Sequence, residues 1–239
     1  MKKLIVANWK MNPASQKEGK EIFSALGGPA SGGDATEVVI CPPFLYLPVL
    51  GLENKKGVSM GAQNVFYEDK GAFTGEISCA MLKDLGVEYV IIGHSERRKY
   101  FSETDEIINK KIKKALEAGL KVIFCIGETA EERSAGKKNE VLQKQIGRGL
   151  AGIEFSKNLN VAYEPVWAIG TGNNCSVGEA KEAFDFIRKF VKDARILYGG
   201  SVKSENSGAY IKEAGADGLL VGGASLVAEE FIKIVKSAE

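Results

Sequence analysis

The sequence predicts an α/β fold of the (β/α)8 barrel class, and three observations predict it. Short apolar, β-branched runs alternate with amphipathic stretches eight times along 239 residues. Those runs are apolar on both faces, as strands of a parallel sheet covered by helices must be. Eight strand–helix units in a chain of about 250 residues are what one closed barrel requires, so residues 1–239 read as a single domain. An open doubly wound sheet shares these units. No Gly-x-Gly-x-x-Gly follows the first run, however, which leaves a dinucleotide-binding version of that fold without support.

The strands are expected at residues 4–9, 38–41, 58–62, 89–92, 122–126, 161–163, 196–198 and 219–221. Between them, helix starts are marked by a hydroxyl three residues before a carboxylate, the pattern that caps free amides at a helix N-terminus. Ser15 with Glu18 opens a first helix whose face carries Ile22, Phe23 and Leu26, and Gly27-Gly28 stop it. Ser102 with Asp105 opens another, carrying Ile108, Ile112, Ala115 and Leu116 and ended by Gly119. Ser176 with Glu179 opens a third, with Ala180, Ala183, Phe184, Ile187 and Val191 on one side. The Gly-rich stretch from Gly27 to Thr36 reads as a flexible connector on the face opposite the strand ends that carry function.

Composition narrows the function classes. Lys and Arg total 32 against 31 Asp and Glu, a balance that argues against a basic nucleic-acid-binding surface or a polybasic membrane anchor. No stretch approaches the ~20 apolar residues of a membrane span. Met1-Lys2-Lys3 and the apolar run after it begin like a secretion signal, but the run is broken by Asn8 and Lys10, so a cytoplasmic location is expected. Cys41, Cys79, Cys125 and Cys175 form no Cys-x-x-Cys pair and His94 is the only histidine, so no metal site is expected. Glycine is the outlier, 28 residues without a Gly-X-Y period, which assigns them positional jobs.

In a barrel of this kind the working residues follow the strands. After strand 1 come Asn8, Trp9 and Lys10; after strand 4, Gly93, His94, Ser95 and Glu96; after strand 6, Glu164. Gly199-Gly200-Ser201 and Gly222-Gly223 follow strands 7 and 8. A carboxylate, an imidazole, an ammonium and an amide thus meet at one mouth. Taken singly, each has a plainer reading: His94 as a structural histidine, Glu164 as a rim charge, Lys10 as a solvated lysine, the glycine pairs as turns. Position favours function, because Pro165 holds Glu164 extended at its strand end. Glycine pairs after strands 7 and 8 also present bare N–H groups suited to phosphate.

Six segments carry a resemblance: Asn8 to Asn12, Gly93 to Arg98, Cys125 to Glu128, Tyr163 to Gly172, Tyr198 to Val202 and Gly222 to Leu226. In order and across nearly the whole chain, they resemble the signatures of the triosephosphate isomerase family. The resemblance implies interconversion of dihydroxyacetone phosphate and D-glyceraldehyde 3-phosphate through an enediol(ate), within glycolysis and gluconeogenesis and without a cofactor. It implies Glu164 as the base and His94 as a neutral imidazole that polarises the carbonyl, with a nearby helix N-terminus disfavouring the cation. Lys10 and Asn8 would stabilise negative charge on the substrate oxygens. Gly170, Ser201, Gly222 and Gly223 would hold phosphate through backbone N–H groups, and Glu96, beside Ser95, would stand behind Lys10.

Pro165, Val166, Trp167, Ala168, Ile169, Gly170, Thr171 and Gly172 read as a rigid apolar tip between two hinges, a lid that excludes water from an intermediate able to eliminate phosphate. The loop Gln63 to Glu76 is long and carries Phe66, Tyr67 and Phe73, a patch that calls for a partner. The family docks this loop into a second subunit, which implies a homodimer with Thr74 beside the neighbour's site, and a tetramer stays open. Relative to the family, the segment after the lid (Asn173-Asn174-Cys175) and the connection from Phe190 to Arg195 are short, changes away from the reacting positions.

Overall fold

Each expected strand forms. The computed structural model describes residues 1–26, 33, 35–52, 57–154, 156–170 and 174–239. Its strands are β1 (Lys3–Asn8), β2 (Thr36–Cys41), β3 (Val58–Ala62), β4 (Tyr89–Ile92), β5 (Lys121–Ile126), β6 (Leu159–Tyr163), β7 (Arg195–Tyr198) and β8 (Gly218–Val221). Each pairs in parallel with the next, and β8 returns to β1, closing a barrel. Ile5 of β1, for example, lies opposite Val38 on one side and Leu219 on the other. Around the strands run α1 (Gln16–Ala25), α2 (Leu47–Gly51), α3 (Cys79–Asp84), α4 (Ser95–Phe101), α5 (Asp105–Glu117), α6 (Ala130–Ser134), α7 (Lys138–Gly149), α8 (Val177–Ile187), α9 (Ser204–Lys212) and α10 (Ala228–Ser237).

The two-residue period of a strand divides the core in two. Leu4 and Val6 point into the lumen with Val39, Ile91, Ile123, Leu197 and Leu220, a cluster drawn from strands alone. Ile5 and Ala7 point outward into a larger cluster shared with helix residues such as Phe23, Ile108, Phe184 and Phe231. The strands are therefore buried on both faces, which is why no polar alternation marks them in the sequence.

The N-terminal end of the barrel is closed by charge. Glu37 accepts hydrogen bonds from Arg195 Nη1 at 2.8 Å and Lys121 Nζ at 3.2 Å, and from the Tyr89 hydroxyl. Arg195 Nε also donates to Asn160 Oδ1 at 2.8 Å. Burial alone would raise the Glu37 pKa, but Tyr89, Arg195 and Lys121 together bring it down to about 2. The ring of partners fixes the strand starts, leaving the opposite ends free to vary.

Helix starts follow the expected chemistry with one correction. Ser15 accepts the Glu18 N–H, and Ser176 and Glu179 form a reciprocal capping box. The helix expected to open at Ser102 instead opens two residues later, with Thr104 accepting the Ile107 N–H at 3.3 Å. Ser102 belongs to the preceding helix: it ends α4 in the left-handed region, at φ 52°, leaving its own side chain outside the capping position. Gly119 (φ 75°) follows the end of α5 as expected. α8 stops at Ile187, and Val191 stays buried beyond its end. Gly27-Gly28 and most of the Gly-rich connector lie outside the described residues, as do Thr171 and Gly172 of the expected lid.

Candidate active site

The C-terminal ends of the strands converge on one open cavity of about 720 Å³, lined by Asn8, Lys10, His94, Glu164, Gly170, Ser201, Gly222 and Gly223 among others. Five of the eight βα connections contribute, so only closure of the barrel brings these residues together.

Lys10 is held in a conformation that a lysine rarely adopts, φ 55°. Its N–H donates to Asn8 Oδ1 at 3.1 Å, and its carbonyl accepts Gln63 Nε2 at 2.8 Å. Gln63 Nε2 also reaches the Cys41 carbonyl at 2.8 Å, tying the strained turn to the end of β2. The ammonium, thus aimed, meets Glu96 Oε1 at 2.6 Å on the first turn of α4.

Glu164 lies directly after β6 and is 1% exposed. Oε2 accepts the Ser95 N–H at 2.9 Å, at the amide end of α4. Oε1 stands 3.0 Å from His94 Nε2. Burial raises the Glu164 pKa; His94, the Ser95 N–H and Lys10 lower it and prevail, keeping the carboxylate ionised.

His94 caps α4, its Nδ1 accepting the Glu96 N–H at 3.2 Å. That bond puts the proton of a neutral ring on Nε2, facing the cavity and Glu164. The ring's pKa nevertheless lies above the ordinary histidine value in this arrangement: burial lowers it, but the adjoining Glu164 carboxylate raises it by more. The expected helix-end effect is thus outweighed while the two groups touch, and Lys10 pulls the other way.

The glycine turn after β7 approaches its neighbours closely. A Cβ on Gly200 would lie 2.3 Å from the Tyr198 hydroxyl, and Tyr198 is itself stacked on Tyr210 at 3.7 Å. Ser201 is engaged by the segment after β6: its N–H and Oγ both donate to the Ala168 carbonyl, at 3.2 and 2.5 Å. Pro165 precedes a 3-10 turn of Val166, Trp167 and Ala168; Ile169 and Gly170 (φ 67°) follow and face the cavity. Thr74 is exposed, and beside it Phe66 stacks on Tyr67 at 4.3 Å and meets Phe73 at 4.8 Å, so the loop packs part of its own aromatic surface.

Sequence reasoning gave no role to several residues that build this mouth. Glu128, fully buried after β5, accepts the Trp167 indole N–H at 2.9 Å and the Tyr163 hydroxyl at 3.1 Å. A carboxylate straight after a buried strand was its available signal. Arg98 donates to the Gly93 and Cys125 carbonyls at 2.9 and 3.2 Å and pairs with Asp105, joining the ends of β4 and β5. Gln145, from the middle of α7, exchanges two hydrogen bonds with the Gly127 backbone at 2.8 and 3.1 Å.

Comparison with known proteins agrees with this geometry. Residues 3–238 match the family model described as triosephosphate isomerase. The chain is 47% identical to a triosephosphate isomerase of Chloroherpeton thalassium, covering 100% of this chain and 99% of the relative. It is 47% identical to one from Aquifex aeolicus over 99% of this chain and 100% of the relative. A third, from Thermodesulfovibrio yellowstonii, is 49% identical over 98% and 99%.

Proposed function

The chain belongs to the triosephosphate isomerase family, and on that premise we propose that it interconverts dihydroxyacetone phosphate and D-glyceraldehyde 3-phosphate through an enediol(ate), serving glycolysis and gluconeogenesis. The observation that carries the reading is the sharing of one cavity by an ionised buried carboxylate, an imidazole with its proton on Nε2, and an ammonium fixed by a strained turn.

The parts act in sequence. Glu164 rests on the Ser95 amide and turns from it toward the substrate carbon, where an ionised carboxylate is a competent base. It removes the proton beside the carbonyl and returns it to the neighbouring carbon. His94 Nε2–H donates to the carbonyl oxygen as charge develops there, then takes back a proton from the adjoining hydroxyl. Departure of Glu164 also removes most of what raises the imidazole pKa, leaving only Glu96 acting in that direction; burial and Lys10 then favour the neutral ring, the form that can donate and recover one proton. Lys10 and Asn8 stabilise the negative oxygens, their dipoles and charge already aimed before reaction.

The backbone of Gly170, Ser201, Gly222 and Gly223 receives the phosphate. Ser201 must first release the Ala168 carbonyl, so phosphate binding and movement of the lid root are linked in this reading. Closure then shuts out water while the enediolate exists.

A closed barrel uses all eight units, so residues 1–239 act as one domain. A homodimer through the loop 63–76 is supported by exposed apolar side chains in the first four units, among them Met11, Leu45, Phe73, Met81, Tyr100 and Phe101. Four free, buried cysteines accord with a cytoplasmic location. The test is direct: purified protein should interconvert the two triose phosphates, and Glu164→Gln should lose most of that turnover while keeping its circular dichroism. Wild-type turnover no better than that of the variant would overturn the reading.

A further inference from the structure

One surface cation touches the lid and takes no part in the chemistry above. We propose that Arg133 is a positioning residue that holds the lid open, acting on Trp167 and not on the substrate; the inference rests on the isomerase reading. The Arg133 guanidinium carbon lies 3.8 Å from the centroid of the Trp167 ring. That places the cation over the face of the indole.

Arg133 is itself fixed. It forms an ion pair with Glu179, whose other oxygen accepts Ser176 N–H at 3.1 Å and Oγ at 2.8 Å in the capping box of α8. α8 begins just beyond the lid. On the near side, α6 is capped by Thr129 and Glu132, immediately after Glu128, which holds the edge of the same indole at 2.9 Å. Residues 128–133 therefore grip Trp167 by edge and by face, and Glu179 ties that grip to the start of α8.

With the lid in this position the cavity is about 720 Å³, far larger than a three-carbon phosphate fills, so the gripped arrangement is the open one. A lid hinged at Pro165 carries Trp167 with it, and any closing motion slides the ring off the guanidinium. A partly exposed cation–aromatic contact biases such an equilibrium about two- to fivefold.

The sign separates this role from simple electrostatics. Removing a positive charge near an anion site weakens binding of a dianion. Removing a restraint on the open lid tightens it, because less of the binding energy is spent on closure. The experiment measures the affinity of 2-phosphoglycolate, a phosphorylated enediolate mimic, for wild type, Arg133→Met and Glu179→Gln. Arg133→Met should bind about two- to fivefold tighter, with KM reduced and kcat not increased, and Glu179→Gln should move the same way by less. Unchanged or weaker binding by Arg133→Met overturns the proposal.

The chain has two tryptophans, and Trp9 is fully buried, so fluorotryptophan labelling gives one lid signal and one internal control. In ligand-free Arg133→Met the Trp167 line should shift toward its position in saturated wild type while the Trp9 line stays. Tighter binding without that shift would also overturn the proposal. Failure of the wild type to turn over triose phosphates is a separate outcome, which refutes the isomerase reading itself.

Discussion

Gly127 offers a way to move Glu164, the proposed base, without touching its carboxylate. It follows β5, faces the turn after β6, and its N–H and carbonyl are both engaged by Gln145. A Cβ built on Gly127 lies 1.7 Å from the Glu164 carbonyl oxygen and 2.6 Å from its carbonyl carbon. Since real Cβ contacts stay above 3.0 Å, Gly127→Ala must push the two segments apart by about 1.3 Å. The obstacle is backbone on both sides, so no side-chain rotation relieves it.

A displacement near 1 Å at a reacting group costs on the order of 100-fold in rate. We therefore expect kcat/KM of Gly127→Ala to fall about 100-fold, chiefly in kcat, because the added methyl meets the backbone of Glu164 itself. The assay is steady-state interconversion of the triose phosphates, with circular dichroism and thermal unfolding to follow the fold. Gln145→Ala is the companion variant, since it loosens the same turn without adding an atom, and a smaller loss of activity is expected from it. A folded Gly127→Ala protein within threefold of wild-type kcat/KM would refute the reasoning, because it would mean that the base position tolerates the shift.

The remaining predictions concern protons and assembly. Glu37 has its pKa lowered from 4.5 to about 2, so its stabilisation is present above the unfolded value and is lost as pH falls toward 2; at neutral pH it amounts to about 3 kcal/mol at most. Urea unfolding at fixed protein concentration should show Glu37→Gln less stable than wild type at pH 7, with the gap narrowing below about pH 4.5 and still closing toward pH 2; a pH-independent gap would refute the assignment. His94 is the only histidine, so one imidazole signal reports its titration by nitrogen NMR. Its pKa should lie above the ordinary value in the free enzyme and drop in Glu164→Gln; no drop would show that the carboxylate is not its cause. Sedimentation at micromolar concentration should give about twice the 25.7 kDa chain mass, and a purely monomeric boundary would refute the dimer.

What was legible in the sequence, and what was not, follows from how each residue acquires its role. Asn8, His94 and Glu164 stand at strand ends, where local pattern fixes both element and direction, so the period of the chain already points them at one mouth. Ser102 misled because Ser and Thr can both cap and only the preceding turn decides between 102 and 104; α4 ran on to Phe101 and took Ser102 as its own end. Arg98, Gln145 and Arg133 were illegible for another reason. Each sits on a helix whose sequence explains only the helix, and acts on a backbone or ring from another unit: Arg98 on Gly93 and Cys125, Gln145 on Gly127, Arg133 on Trp167. Such residues hold the working ones in place, and their roles exist only once the barrel has closed. The state of His94 adds a further case. Its sequence position predicts a neutral ring at a helix N-terminus, yet the resting carboxylate beside it reverses the direction. The neutral ring that sequence position predicts is therefore the state expected when Glu164 turns to its substrate, because a local pattern encodes the fixed dipole of a helix but not the place where a mobile charge comes to rest.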